Sequence, residues 1–297
     1  MRRIAFLLPL VFAIAESPLP PISIGAPVIL TPGYPAVAIG FWNSGYPILL
    51  DTDGARKSSM LGVCAEAAAF DADGQLFLGC GPDLAVLKEG KFASSNIFHG
   101  QPLRDTISSI AAAPNGEIFA LTASSDVLEI SADRSSVQRI ALPEIGFPVV
   151  HANIDLAPDG CTLYYLTHAG GIGRYDVCSH TQLPAFLPGG GFVSLRILGD
   201  GGVVAAPPDG RLRFYDPAGR LFKTIAVSGS PITSIAFDAD PTHVWTASLA
   251  YVAKTRISDG RATVQEPYVT STIIVRGERR PTTLGLTGIG RRQTVRH

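Results

Sequence analysis

Residues 151–187 read HANIDLAPDGCTLYYLTHAGGIGRYDVCSHTQLPAFL. Short runs of β-forming residues alternate here with turn residues such as Asp159-Gly160. The runs are Ala152 to Leu156, Thr162 to Thr167, Ile172 to Val177 and Gln182 to Leu187. Runs of this length, bounded by Asp-Gly and similar turns, are typical of antiparallel strands joined by hairpins. The stretch therefore predicts four consecutive strands of one antiparallel sheet.

The same pattern recurs along the chain. A short apolar strand is followed by a tight turn at Asp73-Gly74, Asn115-Gly116, Asp159-Gly160, Asp200-Gly201 and Asp240-Pro241, at spacings of 42, 44, 41 and 40 residues. One period before the first of these, Pro32-Gly33 follows the apolar residues 28–30. Internal repeats of about forty residues are the signature of repeat architectures. We therefore predict six repeats between about residues 27 and 267.

The unit after Phe192 repeats the strand pattern of the quoted stretch. Its predicted strands are Val193 to Leu198, Val203 to Ala206, Arg211 to Tyr215 and Leu221 to Val227. Four-stranded antiparallel sheets at this period are propeller blades. The expected fold is an all-β β-propeller of six blades. A seventh blade stays open, because Ser271 to Glu278 and Thr282 to Ile289 either close the sixth blade or begin another.

The two ends of the chain differ from the repeats. Arg2 and Arg3 precede an apolar run, and residues 13–15 read Ala-Ile-Ala, which predicts a signal peptide over residues 1–15. A single domain is expected over residues 16–278, followed by a basic tail over residues 279–297. The mature protein is then exported, to the periplasm or the extracellular space, and has no membrane-spanning segment.

Composition argues against two classes of protein, intrinsically disordered chains and nucleic-acid-binding proteins. With 46% hydrophobic and 16% charged residues, the chain is too apolar to be intrinsically disordered. Residues 276–297 contain six Arg and one Glu, whereas residues 16–275 contain 16 basic and 24 acidic groups. The net negative charge of residues 16–275 argues against nucleic acid as the partner. A frayed, solvated terminus is the preferred interpretation of the basic tail.

Four cysteines in an exported chain suggest disulfides. If Thr167 pairs with Ile172, the register places Cys161 opposite Cys178. Cys64 and Cys80 flank the hairpin turn at Asp73-Gly74 in a similar way. We therefore predict the pairs Cys161–Cys178 and Cys64–Cys80. Because Cys-x-x-Cys spacing is absent, a zinc site is the less favoured interpretation.

The first strand of each repeat carries mostly aliphatic and small residues, which suits an innermost strand packed between blades. Asp155 and Arg196 are the exceptions, and they occupy the same position of consecutive repeats. We predict that they form an ion pair across the boundary between two blades. The pair is expected to be structural, because buried charges are usually paired.

Candidate sites for chemistry lie where the first strands begin, around the central channel. The polar residues there are Glu66, Ser109, His151, Asn153, Asp155, Arg196 and Ser234. Glu66, His151, Asp155 and Arg196 are the candidate catalytic residues, and Glu66, Asn153 and Asp155 the candidate ligands of a divalent ion such as calcium, magnesium, manganese or zinc. The preferred interpretation is that these groups satisfy one another and channel waters. The common hydrolase, metalloprotease, phosphate-loop and dinucleotide motifs do not occur in the sequence.

Oxygen-rich turns offer a second kind of candidate site. Asp238-Ala239-Asp240-Pro241 is one of three Asp-x-Asp turns, and such turns sometimes hold calcium. It does not continue into the distal Glu of a calcium loop. We therefore interpret it as a turn, in which Asp is favoured for backbone reasons.

The second half of the chain contains a set of recognisable blade motifs: residues 155–166 (DLAPDGCTLYYL), 172–178 (IGRYDVC), 198–204 (LGDGGVV), 245–248 (WTAS) and 273–278 (IIVRGE). With these motifs the chain resembles exported bacterial propellers of the NHL-repeat and virginiamycin B lyase-like group, and the resemblance is best over residues 150–278. Related propellers include gluconolactonase-like hydrolases and streptogramin lyases, which use a divalent metal in the channel. Their catalytic residues do not map one by one onto this chain.

These observations lead to two hypotheses about function. The first is a non-catalytic exported propeller, expected to be a monomer, which binds a protein, a glycan or a small ligand through its blade loops. The alternative is a metal-dependent lyase or lactone hydrolase with its site in the central channel. A cluster of at least three convergent oxygen or imidazole ligands at one channel mouth distinguishes the second hypothesis from the first.

Overall fold

The fold is derived from a computed structural model of the chain. It describes residues 31–32, 37–38, 48–50, 56–59, 67–70, 75–80, 83–88, 91–95, 107–142, 144–145, 154–238, 240–248, 251–267, 273–274 and 276–277. The predicted signal peptide and the predicted basic tail lie outside these residues, so both stay predictions.

All regular secondary structure in the described residues is β-strand. The N-terminal strands are β1 (Thr31–Pro32), β2 (Val37–Ala38), β3 (Ile48–Leu50) and β4 (Arg56–Ser59). Blade one contains β5 (Ala67–Phe70), β6 (Leu76–Cys80), β7 (Asp83–Lys88) and β8 (Lys91–Ser95). Blade two contains β9 (Ile107–Ala112), β10 (Ile118–Thr122), β11 (Val127–Ile130) and β12 (Val137–Ile140).

The second half of the chain supplies three more blades. Blade three contains β13 (Ile154–Leu156), β14 (Thr162–Leu166), β15 (Ile172–Asp176) and β16 (Thr181–Leu187). Blade four contains β17 (Ser194–Ile197), β18 (Val203–Ala206), β19 (Arg211–Tyr215) and β20 (Leu221–Ala226). Blade five contains β21 (Ile232–Phe237), β22 (His243–Ser248), β23 (Tyr251–Arg256) and β24 (Ala262–Pro267). The last strands are β25 (Ile273–Ile274) and β26 (Arg276–Gly277).

Each blade is a four-stranded antiparallel meander in which strands pair in chain order. The first strands of successive blades contact one another, from β5 through β9, β13 and β17 to β21. Strand β1 contacts both β5 and β21, and it pairs in parallel with β26. Strands from the two ends of the chain therefore lie between blade five and blade one and join them. The structure confirms the all-β propeller predicted from the repeats.

The number of blades was predicted wrongly. The described residues form five blades of four strands, not six or seven. The first predicted repeat contributes β1 to β4, each only two to four residues long. Strands β2, β3 and β4 pair antiparallel in chain order, but the fourth strand of their sheet is β25, which pairs with β2 and, in parallel, with β3, so the sheet is mixed. Residues 282–289, the candidate start of a seventh blade, lie outside the described residues.

The hydrophobic core lies at the seams between blades. One cluster joins blades two and three through Phe119, Leu156 and Tyr165. Others join blade one to two, three to four and four to five in the same way. Each described blade therefore buries apolar side chains on a face shared with a neighbour, as the small and aliphatic first strands predicted.

The predicted tight turns are present where the structure describes them. Gly116, Gly160 and Gly201 have φ of +90°, +75° and +86°, which side chains with a Cβ rarely adopt. The preceding Asn or Asp accepts the N–H two residues further on, as Asp200 Oδ1 does from Gly202 at 2.9 Å. An Asx side chain followed by glycine therefore sets each of these turns.

The predicted disulfide between Cys161 and Cys178 is confirmed, with their Cα atoms 5.2 Å apart. The predicted register was wrong by one residue, because Leu166, not Thr167, is the partner of Ile172. The loop between β14 and β15 is therefore one residue longer, and Gly170 with φ of +71° accommodates it. Cys161 and Cys178 join diagonally beyond the ends of their strands. The pair Cys64–Cys80 stays a prediction, because Cys64 lies outside the described residues.

Tyr165 shows how tightly a seam is packed. Its ring lies over Gly173, its partner on the neighbouring strand, so that a Cβ added at Gly173 would meet Tyr165 Cζ at 2.3 Å. The phenol oxygen accepts a hydrogen bond from Gln182 Nε2 at 3.0 Å. Burial of the ring raises the pKa of Tyr165, with the hydrogen bond from Gln182 acting in the opposite direction.

We predict that Gly173→Ala destabilises the protein by about 1–3 kcal/mol, because the new methyl group forces the Tyr165 ring out of the seam. Gly189→Ala is the matched control, since a Cβ there meets nothing within 4 Å. Urea unfolding monitored by circular dichroism measures both. Equal midpoints for the two variants would contradict the packing argument.

Candidate functional site

The structure describes only part of the predicted channel site. Glu66, His151 and Asn153 lie outside the described residues, so their roles stay predictions. Asp155 and Arg196 are described and buried, as are Ser109 and Ser234. What these buried side chains contact can therefore be compared with the prediction.

Asp155 and Arg196 both bond to the backbone of the next blade. Asp155 Oδ2, on β13, accepts the N–H of Ile197 in blade four at 2.8 Å, and its Oδ1 accepts the N–H of Leu156 at 3.0 Å. Arg196, on β17, donates from Nε to the carbonyl oxygen of Ile235 in blade five at 2.8 Å. Each side chain therefore crosses a blade boundary through a backbone partner that the sequence did not reveal. The ion pair between the two side chains stays a prediction.

Two serines make the same kind of contact. Ser109 Oγ, in blade two, accepts the N–H of Ile154 in blade three at 3.2 Å. Ser194 Oγ, in blade four, donates to the carbonyl oxygen of Ile232 in blade five at 2.9 Å. With Asp155 and Arg196, these bonds connect the first strands of blades two to five in series. We call these four side chains the inner-strand polar series, and these contacts position neighbouring blades.

Asp238 forms a second buried polar group that the sequence did not reveal. Its Oδ2 accepts a hydrogen bond from Trp245 Nε1 at 2.6 Å and lies 3.0 Å from Lys254 Nζ. Its Oδ1 accepts the N–H of Asp240, as expected for a turn. The interpretation of Asp238 as a turn residue was therefore incomplete, because its carboxylate also joins β22 and β23.

Glu129 and His180 face each other across the seam between blades two and three. Glu129 Oε2 lies 3.9 Å from His180 Nδ1, and it is buried with no hydrogen-bond partner. Burial raises the pKa of Glu129, His180 opposes this effect, and Glu117 adds to it. Burial likewise raises the pKa of nearby Tyr175, and the charge of Glu129 adds to that effect. This seam therefore contains a carboxylate whose charged form is unfavourable.

Blade four carries the most distinctive surface. Leu221 and Phe222, at the start of β20, are 52% and 43% exposed, and they are the exposed large hydrophobic residues of the described chain. The ring of Phe222 packs on that of buried Phe214, with centroids 6.3 Å apart. The pairing of β19 with β20 shifts between Phe214 and Tyr215, so Phe222 has no cross-strand partner. A bulge of this kind redirects a side chain.

Cations accompany these two hydrophobic residues. Lys223 follows Phe222 directly, while Arg211 is exposed and lies opposite Ala226, at the other end of β20 from Leu221. Burial lowers the pKa of Lys223, and the charge of Asp259 acts in the opposite direction. Together Arg211, Leu221, Phe222 and Lys223 form what we call the blade-four rim. It combines apolar surface with positive charge on the outer strands of a blade.

Sequence reasoning missed this rim because Leu221 to Val227 was interpreted simply as a fourth strand. The sequence did contain one indication of the rim, the adjacent pair Leu221 and Phe222. Successive residues of a strand point to opposite faces, so these two side chains need burial on both faces. A fourth strand has no neighbour on its outer side. Two adjacent large hydrophobic residues there are therefore difficult to bury together.

The chain is similar to a propeller chain in the crystal structure of a nidogen/laminin complex. The TM-score is 0.64 at 12% sequence identity, and the match covers 81% of this chain and 97% of that chain. At this identity the likeness shows the propeller fold. No protein-family model matches the chain, and no curated protein matches it. Membership of the NHL-repeat and virginiamycin B lyase-like group stays a prediction.

Two further observations concern metal and membrane. In the part of the chain that is described, no three or more His, Cys, Asp or Glu side chains are grouped so as to hold a metal ion. The metal site predicted at Glu66, Asn153 and Asp155 stays a prediction, since only Asp155 is described. Over the same residues, no helix has the length and apolarity needed to span a bilayer.

We predict that Asp155→Ala lowers the free energy of unfolding by roughly 1–3 kcal/mol, because the buried N–H groups of Ile197 and Leu156 lose their acceptor. Asp159→Ala is the matched control: its carboxylate also accepts two N–H groups, but at an exposed turn where water replaces it. Urea unfolding compares the two variants. A larger loss for Asp159→Ala would contradict a positioning role for Asp155.

We predict that Glu129→Gln stabilises the protein more at pH 8 than at pH 4. The pKa of Glu129 is higher in the folded than in the unfolded protein. Its contribution to the free energy of unfolding is therefore fully present below the unfolded pKa of about 4.3, and it is lost as the pH rises through the folded pKa. Because glutamine carries no charge at either pH, the variant does not lose this stability at high pH. Thermal unfolding midpoints of both proteins at the two pH values measure the effect.

Glu144→Gln, at an exposed position, is the control for removing one negative charge. The prediction requires a pH-dependent gap between wild type and Glu129→Gln that exceeds the gap for the control. Midpoints of wild type and Glu129→Gln that run parallel between pH 4 and pH 8 would show that Glu129 titrates normally.

Proposed function

We propose that this chain is an exported, non-catalytic propeller that binds a protein partner through the blade-four rim. The observation that carries this proposal is the exposure of Leu221 and Phe222 on an outermost strand. Exposed hydrophobic residues accompanied by charge often mark sites of protein–protein contact. The Phe214 ring beneath Phe222 gives such a contact a rigid base.

The inner-strand polar series supports a structural scaffold. Asp155, Arg196, Ser109 and Ser194 are buried, and each bonds to the backbone of a neighbouring blade. Groups engaged in this way hold the ring together. The outer surface is then the part of the described molecule best suited to a partner.

Two other observations support the proposal. The disulfide Cys161–Cys178 suits an oxidising compartment, which agrees with export by a signal peptide over residues 1–15. The similar propeller belongs to a complex of two proteins, nidogen and laminin. It provides a precedent for a propeller of this shape within a protein complex.

Site-specific photo-crosslinking tests the proposal. A benzophenone amino acid replaces Phe222 in the protein expressed in its source cells, and the matched control carries it at Gln138, an exposed position on the outermost strand of blade two. We expect a discrete covalent adduct from position 222 and none from position 138, identified by mass spectrometry. The same adducts from both positions, or none from 222, would contradict binding at the rim.

A further inference from the structure

Strand β20 is an open edge of its blade. It pairs with β19 on one side, and the described residues place no strand on its other side, although the blade-five turn at Gly260 lies close to the carbonyl oxygen of its last residue, Ala226. An edge strand presents unpaired N–H and C=O groups, which another chain can use as a template. Proteins commonly bind extended peptides by adding them as a strand to such an edge.

Three other outermost strands are less suited to this role. Strand β12 has four residues and includes Arg139, which is paired with Asp126. Strand β16 contains Pro184, and β24 ends at Pro267, and proline lacks the N–H that strand pairing needs. Strand β20 has six residues without proline. Among these edges, β20 therefore combines backbone available for pairing with exposed apolar side chains.

The charge around β20 is positive. Residues 209–226 contain Arg211, Arg213, Arg220 and Lys223 against Asp209 and Asp216, a net charge of +2. Arg213 pairs with Asp209 at 3.2 Å, and Arg220 with Asp216 at 2.8 Å. Arg211 and Lys223 supply the excess, and Asp259 of blade five, whose charge acts on Lys223, is itself paired with Arg256 at 3.3 Å. Because Lys223 is partly removed from water, an approaching carboxylate gains more there than at a fully solvated lysine.

This charge argues against two other occupants. A second copy of the chain paired through β20 would bring two Arg211 and two Lys223 side chains to one edge, where they repel. The C-terminal residues 276–297 contain six Arg and one Glu, and they would be repelled as well. The occupant that complements the rim is therefore a segment of another protein with negative charge.

We propose that the blade-four rim takes an extended acidic segment of a partner protein as an added strand on β20. Its apolar side chains contact Leu221 on one face of the blade and Phe222 on the other, and its carboxylates face Arg211 and Lys223, which also lie on opposite faces. This inference rests on the proposed function and specifies the class of partner.

Peptide binding to the purified full chain tests it by fluorescence anisotropy. The probe is a labelled peptide of about eight residues, within the usual strand length, in which pairs of glutamate alternate with pairs of valine or phenylalanine, so that each face carries both carboxylates and apolar side chains. One comparison peptide has lysine at every glutamate position, and another has proline at two central positions. We expect the glutamate peptide to bind at least about tenfold more tightly than either comparison peptide.

Variants of the protein locate the site. The double variant Leu221→Ser/Phe222→Ser is expected to bind the glutamate peptide about tenfold or more weakly, because apolar contact is lost. Arg211→Glu is expected to weaken binding of the same peptide severalfold, and more strongly at low salt. Arg139→Glu is the control, because it makes the same charge reversal at an exposed position in blade two. Circular dichroism shows whether each variant is folded. Arg211→Glu provides a second test of the site, because it leaves the contact between Phe222 and Phe214 unchanged.

Equal affinity for the glutamate and lysine peptides, equal effects of Arg211→Glu and Arg139→Glu, or no binding would overturn the acidic-strand inference. If the Phe222 crosslink still forms while the peptides do not discriminate, the binding function stands and only the class of partner is wrong. If the crosslink is absent as well, both proposals fail.

Discussion

The architecture depends on one constraint: a blade with two apolar faces is stable only between two neighbours. Blade three shows this, since Tyr165 belongs to the cluster shared with blade two and Tyr164 to the cluster shared with blade four. A ring gives every blade two neighbours, but it must also close. Strand β1, paired with β26, contacts both β5 and β21, so the first and last described strands meet at the closure.

Close packing of first strands has a consequence for polar groups. Backbone N–H and C=O groups buried at a seam need partners, and an unpaired one is costly. The inner-strand polar series supplies such partners: Asp155 accepts from Ile197 of the next blade, and Arg196 donates to Ile235 of the one after. Charged residues in the interior therefore position the blades, which explains why they occur at equivalent places in consecutive repeats.

The outermost strands obey a different constraint, since each has a neighbour on one side only. Strands β12, β16 and β24 are protected by charge, by proline or by brief length, as natural edge strands usually are. Strand β20 departs from this rule at Leu221 and Phe222, where a bulge leaves Phe222 unpaired over Phe214. A departure from edge protection next to positive charge is what an interaction surface requires. The propeller thus separates stability, at the seams, from recognition, at the rim.

Local sequence determined the blades. Asp-Gly turns and alternating strands depend on residues close in the chain, so the strands of blades three and four and the pair Cys161–Cys178 were predictable. Tertiary structure decided the rest. The blade count depended on β25 pairing with β2 and β3, more than two hundred residues away, and the backbone partner of Asp155 depended on which group the next blade presents. The rim could not be predicted, because Leu221 and Phe222 are exposed only as a result of their position on an outermost strand. A local sequence pattern does not show whether a strand has one neighbouring strand or two.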